Sequence, residues 1–185
     1  MTGLRVCIIT IILTAIYFVL SVATTNIIFT NQSNGSLITK DNKILGSRII
    51  GQNFTKNIYF HGRPSLNNYR NNISGNSNFP YYSAKLRDNI SNNILRYKEK
   101  NHNSNFDLNI ISESASGLDP HITYQGAIGQ IERISASTGI SKGKLINLIT
   151  KKSKPRIFGI FGEKIVNVLE LNIELNNTYA KETRS

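Results

Sequence analysis

Residue types that support much of protein chemistry are scarce in this chain of 185 residues, which has one cysteine, three histidines and no tryptophan. A single cysteine, Cys7, cannot form an intrachain disulfide or a thiolate zinc site, and it leaves the redox compartment open. The histidines, His61, His102 and His121, share neither an H-x-x-x-H nor an H-x-H spacing. We therefore predict no metal site and no thiol catalysis.

Glycine loops that bind phosphate are lacking as well. Residues 46–51 have a suitable glycine interval, but Gln52 and Asn53 stand where lysine and a hydroxyl residue are needed. Residues 139–144 end in Gly-Lys but are one residue too short. We therefore expect no nucleotide or other cofactor to be bound directly by this chain.

The formal net charge of +11 raises the question of an acidic partner. The basic residues are spread along the sequence, and the densest cluster, KKSKPR at residues 151–156, lacks the regular aromatic residues of a base-stacking platform. Nucleic acid is therefore not an expected partner. We interpret the charge as a solvated basic face, with lipid headgroups or a protein partner as the alternative contact.

Residues 6–29 form an uncharged apolar run, and a helix of that length spans roughly 36 Å against about 30 Å of hydrocarbon. A cleaved signal peptide is the alternative, since Arg5 precedes the run and small residues follow at 21–23. The run continues past that point to Phe29, so we predict a transmembrane anchor at residues 1–29. The short N-terminal tail would remain in the cytoplasm.

Hydroxyl side chains recur along this apolar run at helical spacing. They are Thr10, Thr14, Tyr17, Ser21 and Thr24. Such a stripe suits packing against other membrane helices. Serine and threonine can equally donate to carbonyls of their own helix, and the sequence leaves the two interpretations open.

The remainder divides into a connector at residues 30–35 and one mixed α+β domain at residues 36–185. We predict a hairpin at 37–50, helices at 83–100, 120–139 and 141–150, and short strands at 107–112, 157–161 and 164–166. Residues 168–176 fit helical spacing and strand alternation equally well.

The SASGLDP turn (residues 114–120) holds the residue types of a turn and a helix start. Gly117 can turn freely, Asp119 can accept from helix N–H groups, and Pro120 can begin a helix with His121 in its first turn. A hydrolase elbow would need glycine on both sides of the serine, and Ser114 stands at the first of these positions. We assign a structural turn and cap to Ser116, Gly117, Asp119 and Pro120.

The aromatic loop (residues 51–65) reads GQNFTKNIYFHGRPS. Its aromatic side chains, Phe54, Tyr59 and Phe60, predict packing within the domain or against a partner. Arg63 supplies a planar fork of donors for carboxylates or carbonyls, followed by Pro64. An interface anchor and a tie within the same domain are both open interpretations.

These segments, together with NGSL at 34–37, SGNSN at 74–78 and VNVLELN at 166–172, resemble the KdpC family over nearly the whole chain. That family is the small single-span subunit of Kdp-type potassium-transporting P-type ATPases. The matching positions are Gly51, Gln52, Phe54, Tyr59, Phe60, Arg63, Pro64, Ser65, Ser116, Gly117, Leu118, Asp119, Pro120, Gln130 and Arg133. Those in the aromatic loop are candidate partner contacts, and none is expected to be catalytic.

The resemblance implies an accessory subunit in the inner membrane, with its domain outside the cytoplasm. Its implied partners are the potassium-translocating subunit and the ATP-hydrolysing P-type subunit, which handle potassium and ATP. The family is described as a catalytic chaperone that raises the ATP affinity of the pump. An exported domain without a phosphate loop cannot reach cytosolic ATP, so we expect that effect to be indirect.

Two other classes stay open at this point: a membrane-tethered enzyme, and a membrane-tethered basic domain that binds anionic lipid or polymer. The sequence also departs from the family pattern. Gly126 and Gly129 stand where alanines are usual, which predicts a helix weaker by about 1 kcal/mol for each glycine.

Overall fold

The computed structural model describes residues 2–101 and 106–182, so that His102 lies outside the described residues. The chain separates into two compact units, Met1–Ser47 and Arg48–Ser185. The first unit contains helix α1 (Thr2–Ile28), the short helix α2 (Thr30–Ser33), and strands β1 (Leu37–Lys40) and β2 (Lys43–Ser47).

Helix α1 is long and apolar enough to cross a membrane. Most of its hydroxyl stripe bonds back to the helix itself: Thr10 donates to the carbonyl of Val6 at 2.6 Å, and Thr24 to that of Leu20 at 2.7 Å. Thr14 and Ser21 make the same contact one turn back. This is the second of the two interpretations. Packing of the stripe against other helices stays a prediction.

The predicted hairpin is confirmed, and the geometry of its turn accounts for the Asp-Asn pair found there. Strands β1 and β2 pair antiparallel, and Asp41 and Asn42 both have positive φ, at 51° and 59°. Two successive residues with φ in that region form the turn that matches the twist of a hairpin. The second strand ends at Ser47, earlier than the predicted residue 50.

The second unit is a mixed α+β domain, as predicted. Its helices are α3 (Ala84–Asn101), α4 (Leu108–Ile111), α5 (Tyr124–Ile128), α6 (Ile131–Thr138), α7 (Lys142–Lys152) and α8 (Val168–Glu182). Strands β3 (His121–Thr123), β4 (Ser153–Lys154) and β5 (Ile165–Asn167) form an antiparallel sheet in the order β3-β5-β4. Fully buried side chains between helices and sheet include Ile122, Ile134, Leu145, Ile149, Val166 and Leu171.

Two strand predictions were wrong. The strand predicted at residues 107–112 is instead helix α4, because the Asp107 carboxylate accepts from the Asn109 amide and caps a helical turn. Residues 157–161 form a closed turn with a single bridge between Ile157 and Phe161. The helical alternative for residues 168–176 is correct, since α8 covers them.

The helix predicted at residues 120–139 is instead a strand followed by two helices. His121 lies in β3, paired with Asn167 of β5, and not in the first turn of a helix. The first helix begins at Tyr124 and ends before Gly129, one of the two glycines expected to weaken it. The second ends at Gly139, whose φ of 75° is the left-handed value typical of a helix C-terminus.

Candidate functional site

The aromatic loop and the SASGLDP turn, which are distant in sequence, meet within the second unit. The Gly51 amide donates to the carbonyl of Leu118 at 2.7 Å, and the Ser114 amide donates to that of Pro64 at 3.1 Å. The first bond joins the start of the aromatic loop to the end of the SASGLDP turn. The second joins the end of the aromatic loop to the start of that turn. The two loops are therefore joined at both ends, and we call the region where they meet the junction.

Two buried side-chain amides pair with the backbone of the aromatic loop. Asn172 of α8 accepts from the Phe60 N–H at 2.8 Å and donates to its carbonyl at 2.9 Å. Gln130, which precedes α6, does the same for His61, at 2.8 Å and 3.1 Å. Each amide satisfies both backbone groups of one residue, as a neighbouring strand would.

Arg133 of α6 fixes the preceding part of the loop. Its guanidinium donates to the carbonyls of Tyr59, at 2.9 Å, and of Asn57. It also donates to the side-chain oxygens of Asn101 and Gln130, at 2.9 and 2.8 Å. Burial lowers the pKa of Arg133 to about 10. The loop is thus bound to a buried cation whose hydrogen-bond acceptors here are all neutral oxygens.

The aromatic side chains pack inward to different degrees. Phe60 is completely buried and belongs to the core, so it cannot be the surface contact that the sequence analysis assigned to it. Phe54 and Tyr59 are half-buried against that core, with their rings edge to face at 5.6 Å. Gln52 and Pro64 are also half-buried.

Arg63 joins the aromatic loop to the segment that leads into the SASGLDP turn. Its guanidinium donates to the carbonyl of Glu113 at 2.9 Å and to the hydroxyl of Ser112 at 3.3 Å, and it lies 3.4 Å from the Asp119 carboxylate. Only 18% of the side chain is exposed. The internal tie, one of the two interpretations of this residue, is the one that the contacts describe.

Ser65 and Tyr69 complete the junction. The Ser65 hydroxyl donates to the carbonyl of Gly117 at 2.7 Å, and the Tyr69 hydroxyl donates to that of Arg63 at 2.6 Å. Burial, with Asp119 nearby, raises the pKa of Tyr69 to about 12. Gly117 has a φ of +70°, as a free turn requires, and a β-carbon there would lie 2.8 Å from a backbone oxygen.

The cap predicted at Asp119 and Pro120 is wrong. Asp119 accepts from the backbone N–H of His121 at 3.0 Å, inside a turn that leads into a strand. The helix cap lies further on at Thr123, which accepts from Gly126 at 2.9 Å. Burial opposes ionisation of Asp119, but hydrogen bonds from His121 and the charge of Arg63 outweigh it and lower its pKa. Asp119 is a charged turn residue that links the two loops.

A cavity of about 280 Å³ lies beside the aromatic loop. Its lining is basic and amide-rich and includes His61, Arg96, Lys100 and Asn93. Burial and then the charge of Arg133 lower the pKa of His61 to about 4, so its ring is neutral at pH 7. The ring Nε2 lies 3.1 Å from the carbonyl of Lys56, which can only accept, and so carries the proton.

An open apolar surface lies on the outer side of the junction. We call it the Ile49 surface and define it by Ile49, Ile50, Ala115, Ser116 and Leu118. Ile49 is 62% exposed and Ile50 is 36% exposed. The surface forms a shallow depression, and Arg63 and Asp119 also line it. Ile49, Ile50, Ala115 and Ser116 are all exposed, so this part of the site is open to solvent.

Sequence reasoning missed some of the residues that build the junction. Asn172 lies within VNVLELN but carried no assigned role, and Asn101 was not singled out at all. Asparagine is so frequent in this chain that its identity is no signal. Within the described residues, no three histidine, cysteine or acidic side chains lie close enough together to hold a metal ion.

Comparison with known proteins agrees with the motifs. The family described as "KdpC: K+-transporting ATPase, c chain" matches residues 1–177. A Koribacter versatilis protein named potassium-transporting ATPase KdpC subunit is 35% identical over 94% of this chain and 91% of its own length. A Bacillus cereus protein of the same name is 40% identical, over 78% of this chain and 77% of its own.

Proposed function

The chain belongs to the KdpC family, and from that premise we propose that it is a non-catalytic accessory subunit of a high-affinity, ATP-driven potassium uptake complex. In this proposal it assembles with a potassium-translocating subunit and a P-type ATPase subunit. The support is the family match over residues 1–177 and the names of the relatives.

One observation of the domain carries the proposal further. Residues at family-motif positions donate hydrogen bonds within the domain: Gln130 and Arg133 hold the aromatic loop, and Arg63 joins that loop to the segment that leads into the SASGLDP turn. That is the use expected of a scaffold, because a catalytic group has to reach a substrate. The Ile49 surface, which this scaffold presents, is then the proposed contact with another subunit.

We propose that this subunit acts as a catalytic chaperone by an indirect route. With its N-terminus in the cytoplasm and its domain outside the inner membrane, it could not touch cytosolic ATP. A subunit that binds one state of the pump better than another shifts the population toward that state, and so changes the affinity of a distant site by at most that difference in binding free energy. The Ile49 surface would then contact the subunits more tightly in the state with high ATP affinity.

The first experiment tests assembly. A tagged chain, expressed with the pump subunits of its own host, should bring down both of them in mild detergent. Ile49→Asp should reduce recovery, because a charge would be buried at the contact. Leu95→Asp, at a 65% exposed position of α3, is the matched control. Equal recovery for the two variants would contradict the assignment of the contact.

Orientation has its own test, because the chain has only one cysteine. Cys7→Ser removes it, and Ser137→Cys places a new thiol at an exposed position of the domain. A maleimide that cannot cross membranes should label this thiol in cells whose outer barrier has been permeabilised while the inner membrane stays intact. Labelling that requires lysis would place the domain in the cytoplasm and contradict the proposed topology.

A further inference from the structure

The loop between β4 and β5 exposes an unusual amount of apolar surface at its tip. The four large apolar residues of this apolar tip (residues 157–161) are Ile157, Phe158, Ile160 and Phe161, which are 66%, 89%, 72% and 65% exposed. Four such side chains within five residues form a contiguous patch of the kind that marks an interaction site.

The backbone of the tip is closed by its own hydrogen bonds. Ile157 and Phe161 exchange both N–H to carbonyl bonds, at 2.9 and 3.0 Å. Phe158 and Gly159 turn the chain with φ of 52° and 73°. The strands that carry the tip pair Lys154 with Ile165. A short loop that is closed by its own hydrogen bonds and carried by paired strands can expose these side chains while its backbone stays ordered.

Basic residues lie on both arms behind the tip. Residues 151–164 contain five lysines or arginines and one glutamate, a net charge of +4. Lys152 pairs with Glu174 at 3.2 Å, and Lys164 lies 3.9 Å above the ring of Tyr124. Lys151, Lys154 and Arg156 are exposed. The loop therefore has an apolar end with cations behind it.

We propose that the apolar tip inserts into the headgroup region of an anionic membrane. Phenylalanine and isoleucine in front with lysine and arginine behind is the arrangement that suits the boundary between acyl chains and acidic headgroups. A protein interface would more often be depleted in lysine. The same chain contains α1, which is long and apolar enough to span a membrane and would hold the domain close to a bilayer.

The absence of tryptophan from the chain makes the test direct. Phe158→Trp adds a single fluorophore to the tip of the full-length protein, and Tyr81→Trp is the matched control, since both positions are 89% exposed. Each variant is reconstituted through its own helix into vesicles of phosphatidylcholine, with or without phosphatidylglycerol. Brominated acyl chains then report contact with lipid, because bromine quenches indole only at close range.

The tip variant should shift to shorter wavelength and be quenched in phosphatidylglycerol vesicles, and less so in phosphatidylcholine alone or at high salt. The control variant should stay unquenched in both. Adding Lys154→Gln and Arg156→Gln to the tip variant should reduce the dependence on phosphatidylglycerol. Circular dichroism checks that each variant keeps its fold.

Three outcomes would overturn the proposal. Tryptophan emission at the wavelength of a water-exposed indole in both kinds of vesicle would mean that the tip does not enter lipid. A shift without bromine quenching would assign the tip to a second copy of the chain. Shielding that appears only after the other pump subunits are added would assign it to a protein partner.

Discussion

The aromatic loop and the apolar tip have similar composition and opposite environments. The aromatic loop, and the apolar tip together with its flanking residues (155–162), each contain aromatic residues, glycines, one arginine and one proline. Phe60 of the loop is completely buried, whereas Phe158 near the centre of the tip is 89% exposed. Arg63 contacts three residues of its own domain, whereas Arg156 is exposed.

The difference comes from partners elsewhere in the chain. Gln130, Arg133 and Asn172 bond to the backbone of the loop, whereas the backbone bonds of the tip run between its own neighbours. Loop composition therefore indicates that a segment packs against something, but not against what. Long-range polar contacts decide whether the aromatic residues join the core or stay available for a contact outside.

The largest expected effect separates the two phenylalanines. Phe60→Ala should lower the free energy of unfolding by about 3 to 5 kcal/mol, because it removes a fully buried ring and leaves a cavity. Phe158→Ala should change it by less than about 0.5 kcal/mol, as at other exposed positions. Denaturant unfolding in mild detergent measures both. Equal losses would show that the tip also packs inside the domain.

The two arginines should differ nearly as much. Arg133→Met should cost about 3 kcal/mol, because buried carbonyls of the loop lose their charged donor. Arg156→Met removes the same charge from an exposed position, and its effect should lie within about 0.5 kcal/mol. A small effect of Arg133→Met in the same unfolding assay would contradict the role that we assign to its hydrogen bonds.

Acid should weaken the loop through His61. The unfolded chain binds a proton at this residue below pH 6.5, whereas the folded domain keeps the ring neutral down to about pH 4. The unfolded state therefore binds more protons across this window, and stability falls on acidification, by roughly 2 kcal/mol at pH 5. His61→Gln should flatten the profile between pH 7 and pH 5. An unchanged profile would mean that the ring is protonated in the folded domain.

The smallest effect concerns the connection between the loops. Asp119→Ala should cost about 1 kcal/mol at pH 7, through loss of the acceptor for the His121 amide. Asp119→Asn should cost less, since it keeps an acceptor oxygen. Because folding lowers the pKa of Asp119, its contribution is present above the unfolded pKa and is lost as the pH falls through the folded one. Equal losses for the two variants would assign the effect to the charge.

Local signals in the sequence were sufficient for part of the fold. The spacing of apolar residues in α3 and α7, the Asp-Asn turn of the hairpin and the glycine after α6 each act within a few residues, and each prediction agrees with the structure. Strand β3 could not be predicted in this way, because its three residues are defined by pairing with β5, more than forty positions later.

The site shows the same division. The aromatic loop and the SASGLDP turn were identified by composition and resemblance, and Gly117 does turn with positive φ. Their connection through Arg63 was one of two open interpretations, since a guanidinium suits an internal carbonyl as well as a partner. The burial of Phe60 and the part played by Asn172 depend on tertiary packing, on which local residue patterns are silent.

The pairing of Phe60 with Asn172 also bears on the order of events during synthesis, because it joins residues 112 positions apart. The loop is made early, but its backbone groups must wait for a side chain of the last helix. Contacts of such separation form late, after the intervening chain has closed. Until α8 emerges, the backbone of Phe60 lacks both of its bonds to Asn172.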